Sequence, residues 1–132
     1  NFLVQKDSTM KKLLLLLFSI FISFNSYGEW TKQYTWDNGD ALFLDFSTIK
    51  EHDGYMFWWE LKNTPNSEFI KSGMVYSKGD CSRMRSKVLT VIFFTELMGK
   101  GESQSRDYDE WSYPSPDTQV YQMLNFICDL EL

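Results

Sequence analysis

Few side chains in this sequence have a type and spacing that could carry chemistry. His52, the only histidine, stands in Glu51-His52-Asp53-Gly54, where a neighbouring carboxylate could orient it as a general base. The glycine after Asp53 marks a turn between two strands, and no serine or cysteine nucleophile has an evident partner, so the turn is the stronger reading. Asp107, Asp109 and Glu110 could offer oxygen ligands to calcium, but the stretch lacks the glycine and the later bidentate glutamate of a calcium loop. It reads as a solvated acidic loop. Two cysteines and one histidine fall short of a zinc site, and nothing singles out a carboxylate pair for glycoside hydrolysis. The expectation is a non-enzymatic chain with no catalytic, cofactor or metal site.

The remaining candidates concern binding. Arg83, Arg85 and Lys87 are the only concentrated basic group, and a period of two puts them on one face of a strand. Such a stripe could take acidic segments of a protein partner or sulfated glycans; it could equally be a solvated strand face whose charges discourage edge-to-edge pairing. Trp58 beside Met56 marks a protein interface if exposed, and is core if a helix covers it. Cys81 and Cys128 are the only cysteines.

The start of the chain bears on those cysteines. Met10 is followed by Lys11-Lys12, an apolar run from Leu13 to Phe24, and Asn25-Ser26-Tyr27-Gly28. A basic segment, a short apolar core and small residues at Ser26 and Gly28 predict a signal peptide over 10–28, cleaved after Gly28. Residues 1–9 read as an upstream extension. A single domain is expected over 29–132. No cysteine lies near the predicted cleavage site, so no lipid anchor is expected there. In an exported domain two cysteines read as one disulfide rather than two reduced buried thiols. Closing the long loop between Cys81 and Cys128 would stabilise by about 4 kcal/mol in the chain-entropy picture.

The whole chain has 13 basic and 18 acidic residues. Three of those lysines and one aspartate fall in 1–28, so the expected mature domain is the more acidic part. Nucleic-acid binders carry the opposite balance, and neither nucleic acid nor anionic lipid is an expected partner.

The elements that would position these residues follow from period and punctuation. Trp30–Trp36 alternates aromatic and polar residues and ends at Asp37-Asn38-Gly39-Asp40, a hairpin signal. Ala41–Phe46 is a second strand, and Ser47–Asp53 a polar connection. Tyr55–Lys62 is the clearest strand, with Tyr55, Phe57, Trp59 and Leu61 expected on the core face and Met56, Trp58, Glu60 and Lys62 on the other. Glu68–Ser77 reads as a further strand, with Lys78-Gly79-Asp80 as its exit. Ser82–Met98 could be a helix by composition, but its period of two and its β-branched and aromatic content favour a long strand. Gly99–Glu110 reads as a mobile polar loop. Ser115 suits an N-cap and Pro116 the first helical turn. Val120, Met123, Leu124, Ile127 and Cys128 then recur at helical spacing. The fold class is therefore α+β: a largely antiparallel sheet of about five or six strands, with a C-terminal helix packed on one face and tethered by the disulfide.

Phe43-Leu44-Asp45-Phe46-Ser47-Thr48-Ile49-Lys50, the tryptophan-rich strand, Asp80-Cys81-Ser82-Arg83-Met84-Arg85, and Trp111, Pro114-Ser115 and Cys128 near the end together resemble the surface-adhesin protein E family of Gram-negative bacteria. The likeness covers nearly all of 29–132. It implies an antiparallel sheet with the helix held on its concave face, attachment to host or extracellular matrix proteins, and a capacity to form homodimers. A periplasmic accessory role in an envelope complex is the alternative. Surface or periplasm is the expected location, and the partner is a protein of unknown identity.

Overall fold

Three long neighbouring strands form the middle of the structure, and every other strand is paired outward from them. The computed structural model describes residues 29–132; the expected upstream extension, signal peptide and cleavage site lie outside the described residues. The elements in order are β1 (Thr31–Thr35), β2 (Ala41–Leu44), β3 (Lys50–His52), β4 (Tyr55–Asn63), β5 (Ser72–Asp80), β6 (Arg85–Phe94), β7 (Ser103–Asp107), β8 (Trp111–Ser112) and helix α1 (Gln119–Asp129). Spatially the strands run β1-β2-β4-β5-β6-β7, with β3 beside β4 and β8 beside β6. All pairings are antiparallel.

The strand number exceeds the expectation because both flanks of the central trio are interrupted. On one side β2 pairs with Asn63–Glu60 and β3 with Phe57–Tyr55, so the two share one edge of β4. The break between them is a 3-10 turn, Phe46–Thr48. Asp45 caps it, its carboxylate accepting from the Ser47 amide at 3.0 Å and the Ser47 hydroxyl at 2.6 Å. On the other side β7 pairs with Phe94–Thr90 and β8 with Lys87–Ser86.

Three boundaries differ from the sequence reading. The β4–β5 connection closes where the Thr64 N–H donates to the Lys71 carbonyl at 2.7 Å, which leaves Glu68, Phe69 and Ile70 exposed in the loop. Strand β5 therefore starts at Ser72 and runs through Lys78 to Asp80. Gly99–Glu110 is not a featureless loop: it contains β7, held by backbone bonds to β6 and one from the Thr90 hydroxyl to the Arg106 carbonyl at 3.3 Å, with all five side chains exposed. The helix starts later than expected. Thr118 is its N-cap, its hydroxyl accepting from the Tyr121 N–H at 3.2 Å, while Ser115 accepts from the Thr118 amide in the turn before it.

The largest correction concerns the faces of the sheet. Met56 and Trp58 are buried with Leu42, Leu44 and Ile49 beneath Met123, Leu124 and Ile127 of α1. Tyr55, Phe57 and Trp59 lie on the opposite face and are only half-buried. Leu61, also on that face, is fully buried, packed near Met74 and the turn at Gly99. The alternation was read correctly; the assignment of core was inverted along most of β4. Trp58 can take the inner place because its indole N–H donates to Glu60 at 2.6 Å, meeting the requirement that a buried polar atom be paired. Burial raises the Glu60 carboxyl above its ordinary value, and the Trp58 bond works against that rise.

The Cys81–Cys128 disulfide ties the end of α1 to the turn after β5. Beside it, Gly79 lets the helix come close. A Cβ there would stand 2.8 Å from Leu124 Cδ1 and 2.9 Å from Trp58 Cζ3. Gly73, on the same strand, would meet its nearest neighbour, the Ile92 carbonyl, at an ordinary 3.6 Å. Overpacking of this kind costs about 1–3 kcal/mol, so Gly79→Ala should lower the midpoint of urea unfolding clearly and Gly73→Ala much less. Equal midpoints for the two variants would show that the helix does not sit tightly on Gly79.

Candidate functional site

The face that α1 leaves uncovered carries a group of aromatic rings and cations. Strand pairing sets Phe57 opposite Lys78 and Trp59 opposite Tyr76, while Lys78 is opposite Lys87, and Lys87 in turn opposite Trp111. Trp59 and Tyr76 stack with ring centres 4.8 Å apart and planes at 25°. Phe57 also stacks on Tyr76, at 6.1 Å, and Tyr55 lies 6.0 Å from Trp111.

Trp111 collects the cations. The Arg85 guanidinium lies 4.0 Å from its ring centre, the Lys87 ammonium 4.8 Å and the Lys78 ammonium 5.9 Å. Lys78 is nearest to Tyr55, at 4.1 Å, with Phe57 at 5.6 Å. Each such contact is worth about 0.5–1 kcal/mol when exposed and about 2 when desolvated. Rings and cations thus restrain one another across β4, β5, β6 and β8.

The three expected basic residues do not act as one stripe. Arg83 sits in the turn after Cys81, exposed, and its backbone N–H donates to Asp80 at 3.3 Å. Arg85 is bonded to the buried Asp80 carboxylate through Nε at 2.9 Å. Lys87 donates to Asp109 at 2.8 Å. A register irregularity between Tyr76 and Ser77 keeps Arg85 and Lys87 on the aromatic face. Trp58 is 2% exposed and cannot be a contact residue, because α1 covers it. His52 and Asp53 meet at 3.2 Å in an open turn, each side chain more than three-quarters exposed; Asp53 itself has a positive φ there. Asp107 ends β7, and Asp109 is turned to Lys87. Among the described residues no three histidine, cysteine, aspartate or glutamate side chains gather as metal ligands would.

Sequence reasoning passed over Tyr76, Lys78 and Trp111 as members of this face. Lys78 was read as a strand exit, and Trp111 lay beyond an expected loop. Tyr55, Phe57 and Trp59 were grouped correctly but counted as core.

Asp80 anchors the turn below the cluster. Burial opposes its charge, but hydrogen bonds from the Ser82 hydroxyl, the Arg85 guanidinium and the Arg83 amide, with the Arg85 charge, outweigh that and hold the carboxyl below its ordinary value. The same bond to Asp80 raises Arg85, against the effect of burial and with support from Tyr113. A carboxyl lowered in the folded state stabilises above the unfolded aspartate value of about 3.9 and loses that contribution as pH falls through the folded value. Asp80→Asn should therefore be less stable than the parent at neutral pH. The gap in melting temperature should shrink as pH falls through the folded value, below which both forms are uncharged at this position. A gap that stays constant with pH would show that the Asp80 charge contributes nothing.

The fold agrees with that of known proteins. No curated protein matches the sequence. Among solved structures, Haemophilus influenzae protein E is similar in fold. Its selenomethionine form aligns at a TM-score of 0.61 and 15% identity, over 74% of this chain and 84% of that one. A second structure of it aligns at 0.58 and 16%, over 75% and 83%. Crystal form II gives 0.56 and 17%, over 66% and 79%. The sequence profile of surface-adhesin protein E matches residues 30–129, and the chain belongs to that family.

Proposed function

We propose that this chain is an exported binding domain of the cell envelope, non-enzymatic, that attaches to a host or extracellular matrix protein through the uncovered aromatic face. The observation that carries the reading is the row Phe57, Tyr76 and Trp59, half-buried and stacked, on the side of the sheet away from α1. Aromatic side chains on a rigid sheet lose little entropy on binding and are the usual anchors of protein interfaces. Membership of an adhesin family supports the same reading. Export rests on the signal-peptide pattern and the disulfide.

Two measurements test it. A membrane-impermeant amine reagent applied to intact cells should label the exposed Lys32, Lys50 and Lys100, read by mass spectrometry beside a periplasmic control. Labelling only after the outer membrane is opened would turn the reading into a periplasmic accessory role. Replacing both Trp59 and Tyr76 by Ser removes side chains outside the helix-covered core. Retention on immobilised matrix protein should then fall about thirtyfold, as expected for loss of about 2 kcal/mol of aromatic contact, with near-UV signals of the helix-side tryptophan kept. Unchanged retention would rule this face out as the contact surface.

A further inference from the structure

The group of cations around Trp111 and Tyr55 holds one whose charge is not neutralised. Arg85 is paired with Asp80 and Lys87 with Asp109. Among the described residues no carboxylate lies within ion-pair distance of Lys78. Asp109 feels the Lys78 charge only as the least of the influences on it, after its hydrogen bond from Lys87, the Lys87 charge and burial. Lys78 is half-buried in the central strand, with its ammonium over Tyr55 and flanked by Phe57. A lysine in that setting has given up part of its hydration and is left with ring faces in place of an anion.

We propose that Lys78 receives a single carboxylate from an acidic protein segment whose neighbouring apolar or aromatic side chains lie on Phe57, Tyr76 and Trp59. The inference rests on the aromatic face being the binding surface and adds the chemistry of what binds there. Charge decides between ligand classes. In the cluster the three cations Lys78, Arg85 and Lys87 exceed the two carboxylates paired to them by one, and the chain as a whole carries −5. A polyanionic glycan would find one unpaired cation within this cluster, on a chain of net negative charge, too few to offset the general repulsion. One carboxylate between apolar groups matches both the single ammonium and the ring surface.

The test is an NMR titration of the disulfide-bonded domain with a blocked peptide carrying glutamate between two phenylalanines, and with its glutamine counterpart. The glutamate peptide should bind about fivefold more tightly or better, the margin of a charge-assisted hydrogen bond, with the largest shifts in β4 and β5. Lys78→Met keeps the side-chain stem over Tyr55 and should make the two peptides indistinguishable. Lys100→Met, at an exposed site in the turn after β6, should leave the preference intact. Equal binding of both peptides to the parent would remove the carboxylate and leave the aromatic face as a docking surface. A preference that survives Lys78→Met would place the carboxylate elsewhere. No binding of either peptide would remove the carboxylate and the aromatic surface together. Displacement of the glutamate peptide by a heparin-derived oligosaccharide that binds more tightly would overturn the proposal in favour of a glycan.

Discussion

The covalent link between Cys81 and Cys128 decides which side of the sheet becomes interior. A twisted antiparallel sheet of this size has two faces rich in apolar side chains and one helix to cover them. By fixing the last turn of α1 to the turn after β5, the disulfide brings Met123, Leu124 and Ile127 onto Trp58, Met56 and the β2 residues. The attachment point is prepared locally. Asp80 gathers Ser82, Arg83 and Arg85 around one buried carboxylate, which holds the turn that carries Cys81, and Gly79 supplies the clearance for Leu124. In the chain-entropy picture a bond closing a loop this long contributes about 4 kcal/mol. That is a large share of the about 5–15 kcal/mol typical of a whole domain.

Once that side is chosen, the other must stabilise itself without a covering layer. It does so by two means. Near the Gly99 turn, Leu61 is sealed from water; the Met98 amide donates to the Asn63 side chain at 2.9 Å and the Gly99 amide to the Ser72 hydroxyl at 2.9 Å, holding the turn in place. Toward the β3 and β8 end the rings stack on one another, and lysine and arginine side chains lie across them. Surface ion pairs such as Lys87–Asp109 contribute little by themselves, about 0–1 kcal/mol. Their effect here is to hold the cations against Trp111, where long aliphatic stems cover ring surface.

Much of this was legible in the sequence, and the misses share a physical cause. The period of two in Tyr55–Lys62 and in the run through Phe94 located the strands, since alternation follows from pleat geometry alone. The spacing of Met123, Leu124, Ile127 and Cys128 located the helix in the same way. Period cannot say which face a distant helix will cover, and both faces of β4 carry tryptophan. Trp59 has the same composition cue as Trp58; only the position of α1 separates them. Strand β7 was invisible for a different reason. Ser103–Asp107 has no apolar face because it buries none, and its place in the sheet rests on backbone bonds to β6. The late start of the helix reflects two adjacent cap-forming sites, Ser115 and Thr118, of which the second carries the first helical amide bond.

Similarity in fold at 15–17% identity to Haemophilus influenzae protein E fits a structure specified by few constraints. The clamp, the approach at Gly79 and the alternation of β4 to β6 involve a small fraction of the residues. The rings and cations of the uncovered face are not needed to choose the core side, since the disulfide and the helix already do that. Residues there can change without disturbing α1, provided the cations keep their partners. A buried tryptophan such as Trp58 is bound to its place by its hydrogen bond to Glu60 and by the close packing at Gly79 beside Leu124. Trp59, one residue along and pointing the other way, stacks on Tyr76 and has no such tie to the helix.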